Sequence, residues 1–140
     1  MEPIFTWNEE TKTCTCEIMS KYGRIFKGTA TCHPDDFDFG NRLVGERIAS
    51  GRVYIEVLKA AKHDAEVSLA ALKQVYYSIN QSQRFNPKSY ETLMLLRQIR
   101  LAEEEVQEIK EMIKEEKQAI KDYVATKEKL YEHLRSKRAK

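Results

Sequence analysis

The chain has 140 residues, which fits one domain. Its 24 Lys+Arg against 22 Asp+Glu leave a net charge of only +2, too balanced for a dedicated DNA-binding protein and equally unlike an acidic DNA mimic. A charged content of 33% exceeds the ~25% typical of soluble domains, and long solvated helices are the usual cause.

The first third reads as strands. Ile4–Trp7 is a short apolar run, and Asn8-Glu9-Glu10 suits a turn. Residues Thr11–Ser20 alternate, with Thr13, Thr15 and Glu17 on one face and Cys14, Cys16 and Ile18 on the other. Lys21-Tyr22-Gly23 is a second turn, with a glycine where a positive φ is needed. In the returning strand Arg24–Cys32, Phe26, Gly28, Ala30 and Cys32 share a face. A turn centred near Tyr22 sets Ile18 opposite Phe26, Cys16 opposite Gly28 and Cys14 opposite Ala30. These large and small pairs suit a tightly covered sheet face. His33-Pro34-Asp35-Asp36 has the composition of a helix start, so a structured connector is expected.

From about Asn41 the period changes. Val44, Ile48, Gly51, Ile55, Leu58, Lys62, Ala65, Leu69, Leu72, Tyr76 and Ile79 follow alternating steps of four and three, a heptad seam with one charged break. The polar stretch Asn80–Gln83 ends that helix. Asn86 then suits an N-cap with Pro87 at the first helical position, and Phe85 and Tyr90 fall at the two positions of a hydrophobic staple. A second seam runs through Leu95, Ile99, Ala102, Val106, Ile109, Ile113, Glu116, Ile120, Tyr123, Lys127, Leu130 and Leu134. At ~1.5 Å per residue the two helices are rods of about 60 and about 75 Å. The short link makes them antiparallel neighbours.

The expected fold class is therefore α+β: a small N-terminal antiparallel β-meander followed by a long two-helix antiparallel coiled-coil hairpin. One domain covers 1–140, with the meander over 1–33, the connector over 34–40, the first helix over 41–80, the turn over 81–86 and the second helix over 87–137. The first helix carries a second apolar stripe, Val53, Val57, Ala60, Val67 and Ala71. The intramolecular seam leaves it uncovered, so it needs the sheet or a second copy, and a homo-oligomer is expected.

Cys14, Cys16 and Cys32, an odd number, with no basic-then-apolar leader at Met1–Ile4, point to a reducing cytoplasm. No run approaches the ~18 apolar residues of a membrane span. Cys14 and Cys16 with Cys32 and His33 would supply a Cys3His zinc set, but same-face residues of a flat strand lie too far apart without a bulge. Small buried hydrophobes are the expected role, with neither metal nor cofactor. His33, Asp35 and Asp36 lack a nucleophile or a second histidine nearby, since His63 and His133 stand on the helices. Phosphate-binding glycine loops and the hydrolase and zinc-protease motifs are missing, so no enzyme is expected.

Basic and aromatic groups gather in two places. One is the turn with Tyr22 and Arg24; the other is the helix junction with Arg84, Phe85, Asn86, Arg97 and Arg100. Aromatic faces beside Arg and Asn donors suit a nucleotide held by stacking and charge-assisted hydrogen bonds. The bland reading keeps Phe85 as a staple, Asn86 as a cap and the arginines as helix solvation.

The segment Phe26-Lys27-Gly28-Thr29-Ala30-Thr31-Cys32-His33-Pro34-Asp35-Asp36, with Gly45 and Ala49 after it, resembles the phage Thoeris anti-defence signal-sponge proteins. The length and the layout, a small β N-terminus and two long helices, are similar too. The resemblance implies a non-enzymatic protein that sequesters cyclic ADP-ribose-type signals made by TIR-domain proteins, or cyclic oligonucleotides at separate sites. It implies dimers or higher oligomers in the host cytoplasm, with aromatic, Arg and Asn groups near protomer junctions. The candidate residues Arg84, Phe85, Asn86, Arg97, Arg100, Tyr22 and Arg24 are chosen on physical grounds rather than by alignment to that family. Two rival expectations stand beside it: a coiled-coil inhibitor or adaptor of a host defence protein, and a structural phage or scaffold component.

Overall fold

The computed structural model describes residues 2–31, 42–82 and 86–138. Three strands, β1 (Ile4–Asn8), β2 (Thr13–Met19) and β3 (Ile25–Thr31), form one antiparallel meander in the order β1-β2-β3. Two long helices follow, α1 (Leu43–Asn80) and α2 (Tyr90–Arg138), so the fold is α+β. Neither helix is long and apolar enough to cross a membrane. The connector over 34–40, Cys32 and His33 lie outside the described residues.

Hydrogen bonds to Asn8 and Ser20 close the two turns. Asn8 Oδ1 accepts the N–H groups of Glu10 at 3.0 Å and Thr11 at 3.2 Å, and Lys12 then enters β2 with a φ of 56°. At the second turn the Gly23 N–H donates to the Ser20 carbonyl at 3.0 Å, and Gly23 takes a φ of 83°. That conformation suits the residue without a Cβ. The expected register follows: Ile18 pairs with Phe26, Cys16 with Gly28 and Cys14 with Ala30.

The described chain divides into two compact units, Met1–Val57 with Lys114–Lys140, and Leu58–Ile113. In the first, the sheet lies directly on α1. Cys14, Cys16, Ala30, Ala49 and Val53 form its buried core, flanked by Trp7, Ile18, Phe26 and Ile48. Small residues permit this approach. A Cβ on Gly28 would stand 2.5 Å from both the Ala49 carbonyl oxygen and the Val53 nitrogen. The Trp7 indole donates to Glu46 Oε1 at 3.3 Å, while Arg42 lies 5.4 Å over the same ring and pairs with Glu9 at 2.7 Å. Val53 is thus covered by the sheet rather than by a second copy.

The same unit packs α1 against the C-terminal part of α2. Gly51 makes room for Ile120, whose Cδ1 would be 2.9 Å from a Cβ there. Arg47 lies 3.8 Å from Glu116 Oε1 and 5.6 Å from the Tyr123 ring centre. Near the chain's end the seam differs from expectation: Tyr131 is buried and Leu130 exposed. From Ile120 the steps to Val124, Lys127, Tyr131 and Leu134 also alternate four and three, and Tyr131 takes the buried place on that path.

The second unit consists of the rest of α1 and the start of α2. Leu58 and Ala65 are buried from one helix, and Thr92, Ile99, Val106 and Ile113 from the other. Lys73 and Glu103 pair at 3.5 Å. Here α2 starts later than expected, at Tyr90 rather than Pro87. Ser89 is the cap, its Oγ accepting the Thr92 N–H at 3.2 Å and donating to Thr92 Oγ1 at 2.8 Å. Asn86 serves the preceding turn instead, with Oδ1 accepting the Lys88 N–H at 3.0 Å. Tyr90, at the first helical position, is 73% exposed, and its expected staple partner Phe85 lies outside the described residues.

Candidate ligand-binding cleft

The residues singled out by composition fall in different places. Tyr22 sits on the β2–β3 turn, 85% exposed, with Lys21 Nζ 5.2 Å from its ring centre. Arg24, on the same turn, stacks its guanidinium 4.9 Å from the Phe26 ring. Asn86, Arg97 and Arg100 belong to the other unit and are exposed. Among the described residues neither Arg97 nor Arg100 makes an ion pair. Arg84 and Phe85 lie outside the described residues. The structure therefore brings together Tyr22 with Arg24, and Arg97 with Arg100, one helical turn apart.

A more enclosed arrangement stands in the unit that holds the sheet. A cleft of about 230 Å³ is lined by Thr31, Val44, Ile48, Arg52, Val124, Lys127, Glu128 and Tyr131. Its wall comes from the seam itself. Val44 and Ile48 stand one turn apart on α1, and Val124, Lys127 and Tyr131 follow the seam of α2. Tyr131 is 4% exposed, so its ring is fixed by packing. Two cations stand with it. Arg52 Nη1 donates to the Thr29 carbonyl at 2.6 Å, which ties the guanidinium to the outer edge of β3. Lys127 Nζ lies 5.6 Å from the Tyr123 ring centre. Among the described lining residues Glu128 supplies the one carboxylate.

An apolar concavity with an aromatic ring and two cations suits a planar group carrying negative charge. Size restricts it further. The cleft lies below the ~300 Å³ at which drug-sized pockets begin, a size that suits a single ring rather than a whole cyclic oligonucleotide. Composition alone missed Arg52, Lys127 and Tyr131. Arg52 reads as a solvated position, Lys127 as a charged break in a seam, and Tyr131 is one residue from the Leu130 that the seam selects.

The thiols do different work. Cys14 and Cys16 are thiols, fully buried between the sheet and α1. Burial raises the Cys16 thiol above its ordinary value of 9.0, and the neighbouring Glu17 carboxylate adds to the rise. A thiol held in its neutral form is a poor nucleophile and a poor metal ligand. Among the described residues no group of three or more His, Cys, Asp or Glu side chains is placed to hold a metal ion. No family model, no curated protein and no solved structure matches the chain.

Proposed function

We propose that this chain is a non-catalytic binding protein that takes up a nucleotide-derived signal and holds it unchanged, as the phage anti-defence sponges do in the host cytoplasm. The observation that carries this reading is the cleft of Val44, Ile48 and Tyr131 rimmed by Arg52 and Lys127. A base or nicotinamide-like ring enters against Tyr131, and the cations meet a phosphate. Both kinds of contact hold ligand without needing a general base or a nucleophile. The resemblance over Phe26–Asp36 supports the same ligand class. Self-association belongs to the proposal as well: Val67 and Ala71, at the far end of the second stripe of α1, are exposed.

The test is thermal shift followed by calorimetry with cyclic ADP-ribose isomers and cyclic di- and trinucleotides. A ligand at about a thousand times its Kd adds about 4 kcal/mol of stability, well within reach of a melting scan. Ligand released from heat-denatured complex should elute unchanged in chromatography; a converted product overturns the non-catalytic part. Affinity lost in Arg52→Ala and Lys127→Ala places the site in the cleft. Loss in Arg24→Ala and Arg100→Ala instead places it on the residues that composition singles out. A second reading rests on the exposed Val67 and Val75 of α1, an apolar strip suited to a host protein. It replaces the first if no nucleotide binds and the chain inhibits a defence protein directly.

A further inference from the structure

Of the charged groups that line the cleft, the two cations already have partners. Arg52 Nη1 donates to the Thr29 carbonyl at 2.6 Å, and Lys127 Nζ lies 5.6 Å from the Tyr123 ring centre. The Glu128 carboxylate lines the same cleft and pairs with neither cation. Among the described residues it makes no hydrogen bond and no ion pair. Both of its oxygens are left to accept from whatever fills the cleft.

Helical spacing fixes where that carboxylate stands. Val124, Lys127, Glu128 and Tyr131 follow one another on α2 at steps of three, one and three. Val124 and Tyr131 therefore share one line along the helix. Lys127 and Glu128, roughly 100° apart around the axis, flank that line on opposite sides. A base lying against Tyr131 has one edge toward the cation and the opposite edge toward the carboxylate. The cleft of about 230 Å³ suits a base without its sugar, so the edge of the base meets Glu128.

A carboxylate accepts and cannot donate, and its two oxygens lie side by side. Its best partner is a pair of parallel N–H donors, as in the fork of an arginine. Among the common nucleobases guanine has such an edge, the ring N1–H beside the N2 amine. Adenine sets its one amine between ring nitrogens that accept, and those lone pairs oppose a carboxylate. Cytosine has one amine beside an accepting nitrogen, and uracil one N–H between two carbonyls.

We infer that Glu128 makes the cleft selective for guanine, its carboxylate accepting from the N1–H and the N2 amine while the phosphate goes to the cations. This selectivity rests on the cleft being the ligand site, as proposed above, and it favours a guanine-bearing signal over the adenine of cyclic ADP-ribose. The test is calorimetry with GMP, IMP and AMP on the parent and on Glu128→Gln. IMP keeps the N1–H and lacks the amine. The parent should bind GMP about tenfold or more tighter than AMP, the scale of hydrogen bonds to a charged group, with IMP between them. Glutamine presents one acceptor and one donor, so Glu128→Gln should bring GMP down to the level of AMP. AMP gains nothing from the carboxylate and should bind the variant at least as well as the parent, which also shows that the cleft is still formed. A parent that prefers AMP or binds the two alike, IMP as tight as GMP, or a GMP preference that survives in Glu128→Gln overturns the role of Glu128 and leaves the cleft as proposed. If none of the three nucleotides binds the parent, the cleft fails as a ligand site and this selectivity fails with it.

Discussion

Two glycines show how single atoms set the packing. A methyl on Gly28 would meet backbone, the Ala49 oxygen and the Val53 nitrogen at 2.5 Å, and backbone cannot rotate aside. Gly28→Ala should therefore lift the sheet from α1 and cost about 1–3 kcal/mol in urea unfolding. At Gly51 the nearest atom is Ile120 Cδ1, the flexible end of a side chain, and alanine regains up to about 1 kcal/mol of helix propensity. Gly51→Ala should consequently stay within about 1 kcal/mol of the parent in the same urea titration. The need for small residues beside Cys16 was legible, because alternation fixed which residues face each other. That the contact is with backbone was not, since it depends on where α1 crosses the sheet. The thiols give a second test. Cys16 is raised by burial, so the folded state keeps its proton at a pH where the unfolded chain has lost it. Its contribution to stability is complete below the unfolded value and is lost as pH climbs through the folded one. At pH 8 Cys14 and Cys16 should resist alkylation in the native protein and react in urea, read peptide by peptide in mass spectrometry. Native labelling at the unfolded rate would remove both thiols from the core.

At the scale of elements, strand register was legible and helix starts were not. Cys14, Cys16 and Ile18 face Ala30, Gly28 and Phe26 because a period of two puts all six on one side and the turn at Gly23 sets the register. Asn86 before Pro87 is the expected cap of α2, and the structure caps the helix with Ser89 instead. Ser89 prevails because Thr92, buried at 3% exposure, returns a second hydroxyl contact, while Asn86 closes the turn ahead. Ser89→Ala should cost about 1 kcal/mol, and Asn86→Ala less, because the donor it releases is on an exposed turn that water reaches. Equal losses in thermal melting would return the cap to Asn86. The end of α2 was ambiguous in the same way. Leu130 and Tyr131 both continue a four-three pattern from Ile120, and heptad counting weighs neither ring size nor the partner helix.

For the molecule as a whole, the long seams announced two paired helices, but a cleft assembled from positions 79 residues apart left little trace along the chain. Arg52 and Tyr131 stand on different helices, and only the packing of α1 on α2 makes them neighbours of one cleft. Its size leads to the last prediction. If the cleft receives one ring and its phosphate, rather than a whole signal molecule, then a mononucleotide already contains what it recognises. AMP should bind detectably though more weakly than a full ligand, and compete with it. Arg52→Ala removes a charge and a guanidinium plane, yet the Thr29 carbonyl it releases is at a sheet edge that water can reach. Stability should fall by no more than the ~0.5–1.5 kcal/mol of one hydrogen bond. Hydrogen bonds to charged groups are worth ~1.5–3 kcal/mol, so AMP affinity should fall about tenfold or more. Calorimetry with AMP on the parent, Arg52→Ala and Tyr131→Phe separates the contributions. Tyr131→Phe keeps the ring and should keep most of the affinity. If AMP binds Arg52→Ala as it binds the parent, the phosphate is held elsewhere and the cleft is only a fold in the surface.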